Sequence, residues 1–235
     1  MDQFAVIMPA AGRSARFGGP KNKLFEEIAG VTVFRRALDT FLQRKDVASV
    51  VIATGPGQTS TDFLGEQSSP DSRLLFTPGG SSRAESVSRA LKQVPESIAW
   101  VAVHDAARPL VSQQLIDRTF AAALQHGAAV PALAVPWTIK QATGPLPAKV
   151  QRTLPRHELW AMQTPQVMRR NDLLRAYEHC PLPLEQVTDD VQLLELSGQE
   201  VWLVEGVERN LKITTQIDLQ IASMLVAGDE NQGAV

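Results

Sequence analysis

Residues 4–23 read FAVIMPAAGRSARFGGPKNK, an apolar run that passes into a glycine-rich, basic loop. The run from Phe4 to Met8 has the bulky composition of a buried strand, and Pro9 ends it. No acidic residue occurs between residues 3 and 25. Consecutive N–H groups in a turn of small residues form a concave site for an anion. We therefore predict a buried first strand and a polyphosphate-binding loop, with a solvated basic loop of no function as the alternative.

Short apolar runs alternate with helical patterns along the rest of the chain. The predicted strands are 4–8, 47–53, 73–76, 99–103, 128–133 and 200–204. The predicted helices are 32–44, 81–92, 112–126, 172–178, 187–196 and 215–227. Strands that alternate with helices of this length are joined by right-handed crossovers. The pattern therefore predicts an α/β fold with a mostly parallel sheet and helices on both faces.

The segment from about 135 to 155 interrupts this alternation. It contains four prolines and no helical face. We interpret it as an extended hairpin or arm that leaves the main body, although an ordered surface loop fits the composition equally well. Long segments of this kind within compact domains are usually functional. The rest of the chain is predicted to be one domain, 1–235, whose small and polar tail at 228–235 is frayed.

Composition and charge exclude several classes of protein. The chain has 235 residues and a formal net charge of −2, so we predict no nucleic-acid partner that neutralises phosphates over a broad surface. Its one cysteine, Cys180, cannot form an internal disulfide. No run of roughly 18 apolar residues occurs, so no membrane partner is predicted. Because no basic leader or cleavage site precedes the first strand, we expect a cytoplasmic protein.

Three further polar motifs follow or approach predicted strands: PGGSSRAES at 78–86, HDAARP at 104–109 and NLKITT at 210–215. Ligands of open α/β sheets bind beyond the carboxyl ends of the strands. Asp105 is placed there to hold Mg²⁺, which prefers oxygen ligands, and Arg108 could pair with a phosphate. The alternative is a structural ion pair between these two residues. Lys212 adds a cation just before the last helix.

The order of the motifs PAAG, NKLF, HDAARP, QTPQ, TDD and NLKITT resembles the 2-C-methyl-D-erythritol 4-phosphate cytidylyltransferase family over residues 4–222. The resemblance implies a Rossmann-like, three-layer nucleotidyltransferase fold with a protruding arm that interlocks two subunits in a homodimer. It also implies transfer of CMP from CTP to methylerythritol phosphate, with release of pyrophosphate, in the non-mevalonate isoprenoid pathway. The implied cofactor is a divalent cation, usually Mg²⁺.

The resemblance also implies a set of site residues. The catalytic cations are Arg16, Lys23 and Lys212, and Asp105 holds the metal. The nucleotide-binding residues are Ala10, Ala11, Gly12, Gly80, Ser81, Arg83, Ser86 and Ala106. The residues that bind the acceptor phosphate are Arg108, Thr138, Arg156 and Thr188, some of them donated across the dimer. Lys21 is an alternative to Lys23, which is preferred because its seven-residue spacing to Gly30 fits the family pattern.

Two departures from the family pattern leave alternatives open. Ser14 replaces a glycine of the first loop, and Trp137 replaces an acidic residue before Thr138. A cytidylyltransferase for another polyol phosphate, such as ribitol 5-phosphate, is one alternative. Ala11 and Ala107 favour methylerythritol phosphate over that acceptor, because the sister enzymes commonly carry Gly and Val there. A catalytically inactive nucleotide-binding homologue is the other alternative.

Overall fold

The structure is a computed structural model that describes residues 2–12, 14, 16–18, 22–65 and 71–232. The helices within these residues are α1 (Val33–Leu42), α2 (Ser60–Leu64), α3 (Arg83–Leu91), α4 (Gln113–His126), α5 (Arg170–Glu178), α6 (Asp190–Leu196) and α7 (Gln216–Gln232). The strands are β1 (Phe4–Pro9), β2 (Glu27–Ile28), β3 (Val31–Thr32), β4 (Val47–Thr54), β5 (Leu74–Pro78), β6 (Trp100–Val103), β7 (Ala128–Ala134), β8 (Ile139–Ala142), β9 (Val150–Leu154), β10 (Trp160–Met162), β11 (Gln166–Arg169) and β12 (Trp202–Glu205).

The main sheet has the strand order β10-β7-β11-β6-β1-β4-β5, and β12 also pairs with β7. The pairs that β1 forms with β4 and β6 are parallel, as are β4 with β5 and β12 with β7. Strand β11 runs antiparallel to both β6 and β7, and β10 runs antiparallel to β7. The predicted mostly parallel sheet is confirmed, although the sequence did not predict β10 and β11.

Alternate residues of β1 face the two sides of the sheet, as a strand requires. Phe4, Val6 and Met8 belong to one buried cluster, which also contains residues of α1 and α4. Ala5 and Ile7 belong to a second cluster, with residues of α3, α5 and α6. The continuous apolar run at 4–8 is therefore buried on both faces, and the predicted covering of both faces by helices is confirmed.

The predicted tail from residue 228 begins within helix α7, and its fraying stays a prediction. Helix α7 continues through Gly228 to Gln232. Arg209 forms an ion pair with the Asp229 carboxylate and donates to the Leu225 carbonyl at 3.2 Å. This link ties the end of the helix to the body, which offsets the cost of the helical glycine. Residues 233–235 lie outside the described part of the chain.

The segment predicted as an arm contains a two-stranded antiparallel hairpin. Strands β8 and β9 pair with each other and belong to a sheet of their own. Most of their residues are exposed, and Trp137, just before β8, is 70% exposed. The hairpin is thus extended rather than packed into the core, while its role in dimerisation stays a prediction.

No helix within the described residues is long and apolar enough to cross a membrane.

Candidate active site

A cavity of about 1020 Å³ opens beyond the carboxyl ends of β1, β5 and β6. Most of the predicted site residues line it: Ala10, Ala11, Gly12, Arg16, Lys23, Gly80, Ser81, Arg83, Ser86, Asp105, Ala106 and Lys212. These residues come from four separate segments of the chain. The parallel strands bring the segments together, because the carboxyl ends of such strands share one edge of the sheet.

Two polar side chains close the first loop of the cavity. Ser14 Oγ donates to Asn22 Oδ1 at 2.8 Å, and the same Asn22 oxygen accepts the Leu24 N–H at 3.1 Å. Ser14 adopts a φ of 53°, in the left-handed region that favours glycine. The bond to Asn22 offsets that conformational cost and explains how a serine serves where the family pattern has a glycine. The same bonds also fix the backbone on either side of Lys23, which follows Asn22 in the chain.

Lys23 is a half-buried cation within a mostly cationic cluster. Burial lowers the pKa of its ammonium, the charges of Lys212 and Arg16 act in the same direction, and Asp105 opposes them, so that the pKa is about 8. An ammonium held in these surroundings lacks a full set of counter-charges. The cavity is therefore prepared for an anionic ligand.

The glycine turn before α3 is held by side chains of that helix. Ser86 Oγ accepts the Gly80 N–H at 3.0 Å and donates to the Ser82 carbonyl at 2.8 Å. Glu85 Oε2 accepts the N–H and the hydroxyl of Ser81 at 2.6 and 2.8 Å. A Cβ on Gly80 would lie 2.4 Å from carbon atoms of Glu85, so only glycine fits. The Ser86 hydroxyl thus has a structural role besides any contact with a ligand.

Three cations surround the carboxylate of Asp105, which is 7% exposed. Lys212 Nζ lies 2.9 Å from Oδ2, Arg83 Nε lies 3.2 Å from Oδ1, and Arg108 Nε lies 3.5 Å from Oδ2. Burial alone would raise the pKa of this carboxyl, but the charges of Arg83, Lys212 and Arg108 more than offset burial and hold the pKa well below its usual range. Asp105 is therefore ionised at neutral pH.

Lys212 is held beside Asp105 by the backbone. The N–H of its neighbour Ile213 donates to the Ala107 carbonyl at 2.8 Å, and Ile213 is fully buried. This bond joins the segment before α7 to the HDAARP turn. The two motifs that were recognised separately in the sequence thus form one unit.

Mg²⁺ fits this donor set as an ion that is shared between protein and substrate. Among the described residues, no group of three or more His, Cys, Asp or Glu side chains is arranged to hold a metal. Mg²⁺ commonly takes one or two carboxylates and completes its shell with waters and substrate phosphates. Asp105 alone, ionised and facing the cavity, meets that requirement.

The QTPQ motif fixes the backbone beneath Asp105, a role that the sequence analysis missed. Thr164 Oγ1 accepts the Asp105 N–H at 3.1 Å and lies 3.1 Å from His104 Nδ1. The other ring nitrogen of His104 lies 3.2 Å from the Arg108 carbonyl. Burial lowers the pKa of His104 to about 4, so the ring is neutral at neutral pH and donates from Nε2.

The two glutamines of the same motif hold other parts of the site. Gln163 Nε2 donates to the Val207 carbonyl at 2.9 Å, and Gln163 Oε1 accepts the Val207 N–H at 3.1 Å. Gln166 Oε1 accepts the N–H groups of Asp190 and Val191 at 2.9 and 3.2 Å. The motif therefore connects the segment before Lys212 and the start of α6 to Asp105. The sequence signal for this role is the run of polar residues in QTPQ itself, which lies between predicted elements.

Four predicted site residues do not line the cavity. Arg108 donates to the carbonyls of Asn210 and Met162 at 2.7 and 3.3 Å, so its guanidinium is turned into the protein. Arg108 also lies within ion-pair distance of Asp105, as the alternative interpretation of these two residues predicted. The other residues are exposed: Thr138, Arg156 and Thr188. Their roles toward the acceptor stay predictions. Lys21, the alternative essential lysine, lies outside the described residues.

The chain is similar to known protein families and sequences over most of its length. The family model described as 2-C-methyl-D-erythritol 4-phosphate cytidylyltransferase matches residues 4–228. The enzyme of that name from Rhodopirellula baltica is 39% identical, with 94% of each chain covered. The bifunctional enzyme IspD/IspF from Rhodospirillum rubrum is 38% identical over 99% of this chain, which spans 59% of that relative's length.

Solved structures give the same relationship. The crystal structure of 2-C-methyl-D-erythritol 4-phosphate cytidylyltransferase from Francisella tularensis superimposes with a TM-score of 0.80 at 29% identity, covering 95% of this chain and 99% of the other. The structure of the enzyme of that name from Thermus thermophilus gives a TM-score of 0.75 at 33% identity, covering 94% and 98%. The similarity extends over nearly the whole chain in each case.

Proposed function

The chain belongs to the 2-C-methyl-D-erythritol 4-phosphate cytidylyltransferase family, and we propose that its cavity transfers CMP from CTP to 2-C-methyl-D-erythritol 4-phosphate. The products are 4-diphosphocytidyl-2-C-methyl-D-erythritol and pyrophosphate, and the reaction belongs to the non-mevalonate isoprenoid pathway. The protein is thus a nucleotidyltransferase. The observation that carries this proposal is the meeting of Lys23, Lys212 and Asp105 in one cavity that also contains two glycine turns.

CTP lies across the cavity in this proposal. The triphosphate binds at Ala10, Ala11 and Gly12, where a Cβ on Gly12 would meet nothing within 4 Å and space for a ligand remains. Arg16 and Lys23 pair with the phosphates. The cytosine and ribose bind at the turn before α3, where Gly80, Ser81, Arg83 and Ser86 line the cavity, as does Ala106.

Asp105 would hold Mg²⁺ together with oxygens of the triphosphate. When bound, the ion supplies positive charge that neutralises non-bridging phosphate oxygens. Lys23 and Arg16 supply the same kind of stabilisation on the side of the departing pyrophosphate. Lys212, whose ammonium is anchored beside Asp105, does so on the side of the acceptor.

The acceptor needs no general base from the protein. Its phosphate is already ionised near neutral pH and attacks the α-phosphorus of CTP in line. The α-phosphorus gains a bond to the acceptor oxygen and loses the bond to pyrophosphate, which leaves with the bonding electron pair. Positioning by fixed cations therefore accounts for most of the rate enhancement.

The acceptor site is completed by a second subunit in this proposal. Thr138 and Arg156 flank the β8–β9 hairpin and are exposed, outside the cavity of their own chain. Arg156 donates to the Pro136 carbonyl at 2.6 Å, which holds it against the base of the hairpin. An arm that reaches a partner subunit would present both residues to the partner's cavity. The proposal thus includes a homodimer, and we place the enzyme in the cytoplasm.

A competition assay tests the choice of acceptor, since Trp137 is an unusual residue beside Thr138. The purified chain is incubated with CTP, Mg²⁺ and equal amounts of methylerythritol phosphate and ribitol 5-phosphate, and the products are identified by mass spectrometry. We expect the methylerythritol product and pyrophosphate. Turnover of ribitol 5-phosphate alone would contradict the proposal, and no product from either acceptor would support an inactive homologue.

Lys23→Ala provides the matched control for this assay. We expect a folded protein whose turnover falls by about a hundredfold or more, because one preorganised charge is lost from the transition state. Activity equal to that of the parent would mean that the lysine is wrongly assigned, and Lys21 would be substituted next.

A further inference from the structure

We propose that Asp190 is a positioning residue, which holds the Arg83 guanidinium in the wall of the cavity and thereby sets the affinity for CTP. Asp190 is fully buried at the start of α6 and does not line the cavity. Its Oδ2 lies 2.7 Å from Arg83 Nη1, and the side chain of Arg83 is 25% exposed. The inference rests on the proposed function, because it takes Arg83 as a nucleotide-binding residue.

Arg83 connects two carboxylates. Its Nη1 contacts Asp190, while its Nε lies 3.2 Å from Asp105 Oδ1. Burial alone would lower the pKa of the Arg83 guanidinium, but the charges of Asp190 and Asp105 more than offset it. Burial raises the pKa of Asp190, while the Arg83 guanidinium acts in the opposite direction and favours the carboxylate. The guanidinium therefore contacts a carboxylate oxygen through Nη1 and another through Nε.

Loss of the Asp190 charge would redirect Arg83. Asp105 would then be the one carboxylate within ion-pair distance of Arg83 among the described residues. A guanidinium that moves toward Asp105 leaves its place at the base and ribose. It also competes with Lys212 for the carboxylate that is proposed to hold the metal. Both consequences weaken the binding of CTP with its Mg²⁺.

The second oxygen of Asp190 is held by a tyrosine. Tyr177 Oη donates to Asp190 Oδ1 at 3.2 Å. Burial and the nearby Asp190 charge raise the pKa of Tyr177, so its hydroxyl stays protonated and remains the donor. Removal of this hydroxyl would leave the charge on Asp190 but loosen its orientation.

The start of α6 is fixed without the side chain of Asp190. Gln166 Oε1 accepts the N–H groups of Asp190 and Val191. The N-cap is Asp189, whose Oδ1 accepts the Gln192 N–H at 3.0 Å and whose Oδ2 accepts from Gln166 Nε2 at 3.2 Å. A substitution of Asp190 by a side chain of the same shape should therefore leave α6 folded. Asp189 offers a matched control, because its carboxylate supports the same helix but makes none of the contacts described for Arg83.

Titration calorimetry of CTP in the presence of Mg²⁺, without acceptor, tests the inference. For Asp190→Asn we expect the Kd for CTP to rise by about tenfold or more, and the KM for methylerythritol phosphate to change by less than about twofold. Tyr177→Phe should raise the Kd by about two- to fivefold. Asp189→Asn should leave the Kd within about twofold of the parent value.

Two results would overturn the inference. One is a Kd for Asp190→Asn equal to that of the parent, and the other is an equal loss of affinity in Asp189→Asn, which would assign the effect to the helix as a whole. A parent chain that bound CTP but transferred no CMP would contradict the proposed function and leave the comparison of affinities intact. A parent that did not bind CTP would overturn both.

A comparison within the Arg83→Gln background covers the case in which Asp190→Asn alone fails to fold, since that variant leaves a buried arginine short of one counter-charge. Arg83→Gln with Asp190→Asn removes both charges of the pair and is compared with Arg83→Gln alone. If Asp190 acts through Arg83, the two proteins bind CTP with the same Kd. A further rise of the Kd in the double variant would overturn the inference.

Discussion

The ammonium of Lys212 lies 2.9 Å from the Asp105 carboxylate, which is the group proposed to hold Mg²⁺. A divalent cation and a lysine ammonium that bind the same carboxylate repel each other, so each weakens the binding of the other. The ion pair therefore sets how tightly the metal is held. It also places the lysine at the position where, in the proposed function, acceptor and nucleotide meet.

Lys212→Met should separate these two effects. Without the competing ammonium, the Mg²⁺ concentration for half-maximal CTP binding should fall severalfold, as calorimetry over a Mg²⁺ series would measure. At saturating Mg²⁺, kcat should fall by about a hundredfold or more, because a transition-state charge is lost. A higher Mg²⁺ requirement in Lys212→Met would contradict competition at Asp105.

The pH dependence of the reaction should report Lys23. Its pKa of about 8 means that the free enzyme loses this charge as the pH rises through that value. We expect kcat/KM for CTP to fall above about pH 8, by about tenfold for each further pH unit, as the loss of a single proton requires. Bound polyphosphate raises the pKa of the ammonium, so kcat should fall only at higher pH.

Lys23→Arg is the control for that profile, since its guanidinium stays charged over the whole range. The fall in kcat/KM near pH 8 should be absent from this variant, whatever its activity. The same fall in both proteins would assign the titration to another group.

Removal of the Lys23 charge should stabilise the fold. The pKa is lowered from 10.5 to about 8, so the unfolded chain binds more protons in this interval and the free energy of unfolding rises with pH there. Below pH 8 the charged form therefore disfavours the folded state. Lys23→Met should be more stable at neutral pH by about 1 kcal/mol, allowing for solvent screening of a half-buried group.

Denaturant unfolding at neutral pH and near pH 10 would measure this difference. The stability gained by Lys23→Met should shrink at the higher pH, because the folded parent has lost its Lys23 proton there and no longer buries the charge. A variant less stable than the parent at neutral pH would show that the lysine is well compensated in the free enzyme.

Two glycines of the cavity should respond differently to alanine. A Cβ on Gly12 meets nothing within 4 Å, so Gly12→Ala should keep the thermal midpoint of the parent while its Kd for CTP rises by about tenfold, because phosphates approach the backbone there. A Cβ on Gly79 would lie 2.5 Å from the Ala11 Cβ, so Gly79→Ala should also lose about 1–3 kcal/mol of stability. Unchanged CTP binding in Gly12→Ala would move the triphosphate away from this loop.

The elements that sequence predicts best are those with a continuous local pattern. The apolar run of β1 and the helical face of α1 specify their structure without reference to distant residues. Strand β11 is different, because its pairing with both β6 and β7 joins segments that are far apart in the chain. Four residues between a proline and a helix carry too little periodicity to predict it.

The site shows the same division. Motif positions predicted which residues meet in the cavity, because each motif follows a strand of one sheet. They did not predict that Arg108 faces inward, since the sequence does not record which carbonyls lie nearby. The buried pair of Asp190 and Arg83 was missed for a related reason, because two adjacent aspartates near the start of a helix predict at most a cap.

A crystal structure of the chain with CTP and Mg²⁺ tests most directly whether this cavity binds the nucleotide as proposed. We expect the triphosphate at residues 10–12 within hydrogen-bonding distance of Lys23 and Arg16, the cytosine against residues 80–86, and the metal on Asp105. A triphosphate that contacts Lys21 in place of Lys23, or a nucleotide bound outside the cavity, would contradict the assignment.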